Sequence, residues 1–164
     1  TENLRAEVYS IDGIPNDTAV ALKFIDKGEA VVSHNGVNTL ATFQKTALLH
    51  DIPVLGKDYV IGSDQNNPDV YGKNLTGKVL CLPQTIGSTT GGMVIYTVAA
   101  LKLAPSAMLF SQPIDSLAAA GVILADVWTD NSIVAVDSLG EEFLNAVKDG
   151  DKITIKADGT VIVD

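Results

Sequence analysis

The sequence predicts an α/β fold with a strong β contribution, a mixed sheet or small barrel with flanking helices. Two observations carry that expectation. Residues 78 to 112 read as strand, helix, strand, which implies a parallel unit with a right-handed crossover. The two ends of the chain read instead as hairpins, so parallel and antiparallel pairing must share one sheet.

The elements follow in order. "LRAEVYS" and "TAVALKFID" have strand character, with the turn-rich "IDGIPND" between them. "AVVSHNGVNTLATFQKTALLHDIPV" is ambiguous. Asn38 or Thr39 is placed to cap a helix running to about His50, with Leu40, Phe43, Ala47 and Leu48 on its apolar face. "GSDQNNPDVYGKNLTG", from 62 to 77, is dense in turn formers and must be a loop, of a length that is often functional. "KVLCLP" is a short buried strand ending at Pro83. A helix from Ser88 or Thr89 to about Leu103 follows, with Gly91 and Gly92 in its first turns and Pro105 just beyond. "AMLFSQ" is another buried strand. "DSLAAAGVIL" is a short helix capped by Asp115 or Ser116. "DSLGEEFLNAVKDG" is a second short helix, with acids early, Lys148 late and Gly150 as its terminator. In the tail, "DKITIKADGTVIVD", two alternating strands flank Asp158-Gly159, the favoured pair for a two-residue hairpin turn. No internal repeat or linker divides the chain, so residues 1–164 are expected to form one domain.

Composition narrows the function. Apolar residues make up 46% and charged residues 19%, a globular balance, while aromatics at 5% leave the core to Val, Ile, Leu and Ala. A net charge of −9 with a single arginine, Arg5, argues against nucleic acid, because phosphate neutralisation needs clustered cations. The lone cysteine, Cys81, excludes an internal disulfide, fits a reducing compartment and reads as a core thiol rather than a nucleophile. No apolar run reaches the ~18 residues of a membrane span, and no signal-peptide pattern opens the chain, so a cytoplasmic protein is expected.

The chemistry concentrates in "GSTTGG", between strand and helix. A helix start leaves amide N–H groups without intrahelical partners, and the dipole makes that end positive. Glycine lets a ligand approach the backbone, and the hydroxyls of Ser88, Thr89 and Thr90 add donors. Gly87, Ser88, Thr89, Thr90 and Gly91 are therefore candidate ligands for an anion such as a carboxylate. An N-cap with glycine for close packing fits the same residues equally well. A P-loop is excluded because Met93, not Lys, follows Gly92, and the dinucleotide fingerprint is absent. His34 and His50, with no Cys cluster, give no metal-ligand spacing. His34 reads as a turn residue and His50 as a helix-end cation. The chain thus offers half of an active site rather than a complete one.

The order of motifs resembles a known family. Val70-Tyr71-Gly72, Gly77 to Leu80, the Gly87-Ser88-Thr89 turn, Ala104 to Ala107, Ala119 to Ala125, and the ending from Asp137 are similar to the small subunit, or swivel domain, of the aconitase-X family. The resemblance implies a swivelling β/β/α domain docked on a large catalytic subunit. It implies dehydration of a small hydroxy carboxylate, such as cis-3-hydroxy-L-proline or phosphomevalonate. The iron or iron–sulfur centre would lie on the large subunit, with no metal bound by this chain. By the same resemblance Ser88 is the candidate catalytic hydroxyl, abstracting a proton or positioning the substrate. This chain has Thr85-Ile86 where the family usually has Arg before the turn, which favours an unphosphorylated substrate. It has Asn67-Pro68-Asp69 where His-Pro is common. Residues 30 to 60 match poorly, and "WTDNSIVAVD", 128 to 137, looks like an insertion.

Overall fold

The computed structural model describes residues 3–4, 25–49 and 59–164. All but Leu4 of "LRAEVYS", the connector after it, most of "TAVALKFID", and His50 lie outside the described residues, as do the side chains of Ala47 and Leu48.

The described strands are β1 (Asn3–Leu4), β2 (Ile25–Val32), β3 (Val37–Asn38), β4 (Val79–Leu82), β5 (Thr85–Ile86), β6 (Ala107–Phe110), β7 (Val134–Val136), β8 (Lys152–Ile155) and β9 (Val161–Val163). The helices are α1 (Thr39–Leu49), α2 (Gly91–Ala100), α3 (Ser116–Trp128) and α4 (Gly140–Ala146). The main sheet is mixed, in the order β1-β9-β8-β2-β4-β6-β7. β2, β4, β6 and β7 run parallel, and β8 and β9 join antiparallel beside β2. β3 and β5 form a separate short parallel pair.

Two-sided burial explains why the central strands read as continuous apolar runs. Val31, Leu80, Leu82, Met108 and Phe110 point to one face, where they pack with Phe43 of α1, Ile95 and Val98 of α2, and Ala118 and Ala125 of α3. Their neighbours Ala30, Val32, Val79, Cys81, Ala107 and Leu109 point to the other face, against Phe143 and Leu144 of α4 and Ile153 and Val161 of the hairpin. The strict alternation along each strand is the period of two that a pleated strand imposes.

Several boundaries differ from expectation. α2 starts at Gly91, not Ser88 or Thr89, and ends at Ala100 rather than Leu103. Lys102 adopts φ 62°, the Leu103 amide bonds the Val98 carbonyl at 2.8 Å, and the Lys102 amide bonds that of Ala99 at 2.9 Å. This is a Schellman stop, concealed in the sequence because lysine occupies the usual glycine position. α3 runs on to Trp128, well past the short helix expected, and Asp115 caps it by accepting from the Leu117 and Ala118 amides at 3.0 Å. The supposed insertion at 128 to 137 contains β7, which extends the sheet beside β6. α4 ends at Ala146, before Lys148. The hairpin turn is also different. Gly159 alone has positive φ, and Lys156 pairs with Thr160, so a three-residue loop with a left-handed glycine replaces the two-residue turn.

α2 and α3 pack closely through two glycines. A methyl group on Gly92 would lie 2.5 Å from the Leu117 carbonyl oxygen, and one on Gly121 would lie 2.6 Å from that of Gly92. Gly92 is therefore a helix–helix contact residue, which bears out for this glycine the close-packing alternative of the sequence. The 62–77 loop is folded on itself around buried Val70 and Leu75; across it the Gly62 amide donates to the Lys73 carbonyl and the Gly72 amide to the Gly62 carbonyl.

Candidate functional site

β2, β4 and β6 end on one edge of the sheet, the edge at which parallel α/β sheets gather ligands. The β3–β5 pairing, Val37 with Thr85 and Asn38 with Ile86, brings the segment after β2 onto the segment after β4. β3 feeds α1 directly, and β5 leads through the Gly87 turn into α2. Two helix N-termini thus meet at the turn. Gly87 has φ +113°, and a methyl group there would sit 3.0 Å from the Asn38 side-chain amide. Glycine is required by both the backbone angle and the contact. Asn38 in turn caps α1, accepting from the Ala41 amide at 3.1 Å.

Gly87, Ser88, Thr89 and Thr90 are exposed, whereas Gly91 is buried with its α-carbon facing the Thr39 hydroxyl. The structure brings all five sequence candidates together, four at the surface and one beneath it. Ser88 accepts from the Thr90 amide at 3.3 Å through Oγ, and its carbonyl accepts from the Gly91 amide at 2.9 Å. Its hydroxyl proton is left to donate outward. Thr90 is the N-cap residue of α2 but makes no side-chain cap bond. The first-turn amides are therefore not taken up by a capping side chain, which is the condition for an anion to be received there.

The turn is held from both sides. The Thr85 hydroxyl donates to the Asp115 carboxylate, which also caps α3, so the N-terminus of a third helix is tied to β5. Gln84 Nε2 donates to the Pro113 carbonyl at 3.1 Å. On the other side Asn67, almost fully buried, donates to Ser33 Oγ at 3.0 Å and to the Gly36 carbonyl at 3.4 Å. Asp69 accepts from the His34 amide at 2.8 Å. The Asn67-Pro68-Asp69 element thereby fixes the segment that β3 presents to the turn. Gly36 passes the constraint on, since a methyl group there would lie 2.6 Å from Ile86 Cγ2.

Cys81 is fully buried in β4, and burial, with smaller contributions from Asp149 and Asp151, pushes its thiol up to about 12. It packs in the core, where burial disfavours the thiolate that a nucleophile needs. His34 lies exposed in the bend after β2. Among the described residues no three or more His, Cys, Asp or Glu side chains group as they would around a metal ion, so these residues do not fit an iron or iron–sulfur centre. No helix of the described residues is long and apolar enough to cross a membrane.

Asn38, Thr39, Thr85 and Asn67 are the site residues that sequence reasoning missed. Asn38 and Asp115 were legible as helix caps. Their meeting at the turn was not, because two-residue strands such as β3 and β5 have no periodicity to read.

An open, donor-rich loop at the strand edge, lined by two helix N-termini, defines an α/β domain with a candidate anion site at its surface. The chain belongs to the aconitase X swivel domain family, whose model matches residues 60–163. It is similar to the phosphomevalonate dehydratase small subunit of Methanocella arvoryzae, 37% identical over 91 residues, covering 56% of this chain and 62% of that one. It is similar also to that of Methanothrix thermoacetophila, 38% identical over 97 residues, with 58% and 64% covered. These matches span less than two thirds of either relative's length. The crystal structure of Thermococcus kodakaraensis aconitase X in its holo form superposes with a TM-score of 0.65 at 25% identity, over 84% of this chain and 88% of that one.

Proposed function

We propose that this chain, one swivel domain over residues 1–164, is the small subunit of an aconitase X-type dehydratase. It presents the Gly87–Gly91 turn to a small hydroxy carboxylate from which water is eliminated. A large catalytic subunit contributes the other wall, and the iron or iron–sulfur centre that supplies Lewis acidity belongs to that subunit. The carrying observation is the exposed Ser88–Thr90 turn at the head of an uncapped α2, in a chain of this family. The substrate carboxylate accepts from the first-turn amides of α2 after Gly91, whose own amide is taken by the Ser88 carbonyl, and from the Ser88 hydroxyl, whose oxygen is already engaged by the Thr90 amide. Held there, the carbon that loses its proton is oriented toward the large subunit. The single reduced thiol, Cys81, suits the cytoplasm.

The turn carries no cation, and the Asp115 carboxylate stands beside it through Thr85. A monocarboxylate such as cis-3-hydroxy-L-proline suits that field better than a phosphorylated acid. Phosphomevalonate is the second reading, favoured by what the relatives named above act on. Turnover of both compounds by the reconstituted two-subunit protein separates the two. In the same assay Ser88→Ala should lower kcat by about a hundredfold, the scale of one lost transition-state donor, with assembly intact. An unchanged kcat supports a non-catalytic anion-binding module on the same fold. Full turnover by the isolated chain defeats the subunit reading.

A further inference from the structure

Of the large apolar side chains that remain exposed, Leu40, Tyr59 and Tyr71 lie elsewhere, but four gather on two neighbouring helices. α2 and α3 lie side by side, joined at the Gly92–Gly121 contact and again where the Tyr96 and Trp128 rings meet edge to face at 6.1 Å. Their outer surface carries Met93 at 55% exposure, Ile123 at 45%, Val127 at 66% and Trp128 at 67%. On α2, Met93, Tyr96 and Ala100 follow the spacing of one helical stripe. On α3, Ala120, Ile123 and Val127 do the same. Surface helices ordinarily turn charged residues outward. Here α2 has no charged residue among its 10, and α3 has only Asp126 among its 13, in a chain with 20 acids.

We infer that this α2–α3 face is where the large subunit docks, an inference that rests on the dehydratase-subunit reading above. Position selects that occupant. Met93 lies in the first turn of α2, three residues after Thr90, and Ile86, 55% exposed, stands on the other side of the turn. A partner that closes the site over Ser88 covers this end of the face, so site and face form one continuous surface. Size agrees. α3 is about 20 Å long at 1.5 Å per residue, and two helices about 10 Å apart present roughly half of the ~800 Å² that a stable interface takes from each partner. Ile86 extends the exposed apolar surface past the turn.

Charge argues against the other occupants. A second copy would set one net charge of −9 against another. A bilayer surface selects helices with Lys or Arg on their polar faces, and α2 and α3 have neither. The matching partner surface is apolar, without a negative rim. Trp128 has the chemistry of a binding hot spot, a large ring on a helix end that gains by being desolvated.

The test uses the full chain and the large subunit from the same organism, purified separately and titrated by calorimetry. Val127→Glu and, independently, Ile123→Glu place a charge on exposed positions that the fold does not need. Each should weaken association by at least about tenfold, leaving the unfolding midpoint of the free chain unchanged. Ser88→Ala should associate like the wild type. If both face variants bind as tightly as the wild type, the docking inference is overturned and the subunit reading survives. If the wild-type chains do not associate at all, both fall together. Wild-type chain that sediments as a dimer dissociated by Val127→Glu, with large-subunit binding unaffected, assigns the face to a second copy and also overturns the inference.

Discussion

Gly121→Ala should destabilise this protein, although the same change in an isolated helix would stabilise it. A methyl group at position 121 would lie 2.6 Å from the Gly92 carbonyl oxygen, 2.8 Å from Ile95 Cβ and 3.0 Å from Gly92 Cα. Carbon atoms prefer separations of about 3.5–4.0 Å, so the overlap is at least about 0.5 Å at each carbon. The obstacles are backbone atoms and a Cβ, none of which can move by rotamer change. α3 must withdraw from α2, which loosens Ile95, Val98 and Ala118 in the core. Overpacking of this kind costs about 3 kcal/mol at the upper end of its usual range. The gain in helix propensity from Gly to Ala returns about 1 kcal/mol. The net loss is about 2 kcal/mol, or roughly 4–8 °C in Tm for a chain of this size. Thermal and urea unfolding followed by circular dichroism read it directly. A Gly121→Ala protein as stable as the wild type, or more so, would refute the close approach of α2 and α3.

Three further outcomes follow from single groups. Cys81 should resist thiol reagents in the folded protein and react on unfolding. Its raised folded pKa means that stability is full below about 9, where the unfolded thiol is still protonated, and declines as pH rises from there toward about 12. Chemical denaturation across that range measures the decline, and stability that stays flat contradicts the burial of the thiol. Asp115→Ala removes the α3 cap and the acceptor for Thr85, and should cost about 1–2 kcal/mol. Asp115→Asn should retain most of the cap, so equal losses for the two variants would argue against capping. The Lys78 ammonium bonds Glu29 at 2.9 Å and, with Lys152 in support, holds its carboxyl below the usual range. The contribution of Glu29 is present above the unfolded glutamate pKa and is lost as pH falls through the folded value. Glu29→Gln should flatten the acid limb of the stability profile slightly and in a salt-sensitive way. An unchanged acid limb removes the pair from the account.

The sequence by itself determined the parallel β4–α2–β6 unit, the terminal hairpin, the Asp115 cap and the polar turn. Each is written in local patterns: apolar runs buried on two faces, a cap residue before a helix, and small hydroxyl residues between strand and helix. The family resemblance was legible for the same reason, as motifs in order along the chain. Boundaries set by less common choices were not legible. Lys102 stops α2 in a left-handed conformation usually left to glycine, and the short apolar run of β7, Val134–Val136, follows the polar residues 129 to 132, so its place beside β6 was not legible.

Only the tertiary structure decided what stands beside the turn and what stays uncovered. Asn38, Thr39 and Asn67 reach the Gly87–Gly91 turn, directly or through Gly36, because β3 pairs with β5. Pairing between two-residue strands distant in sequence leaves no local signal. Val127 and Trp128 have the composition of core residues, and their exposure was decided by how α3 crosses α2 at Gly121. Local propensity selects an element; the packing of one element on another selects which of its faces meets water.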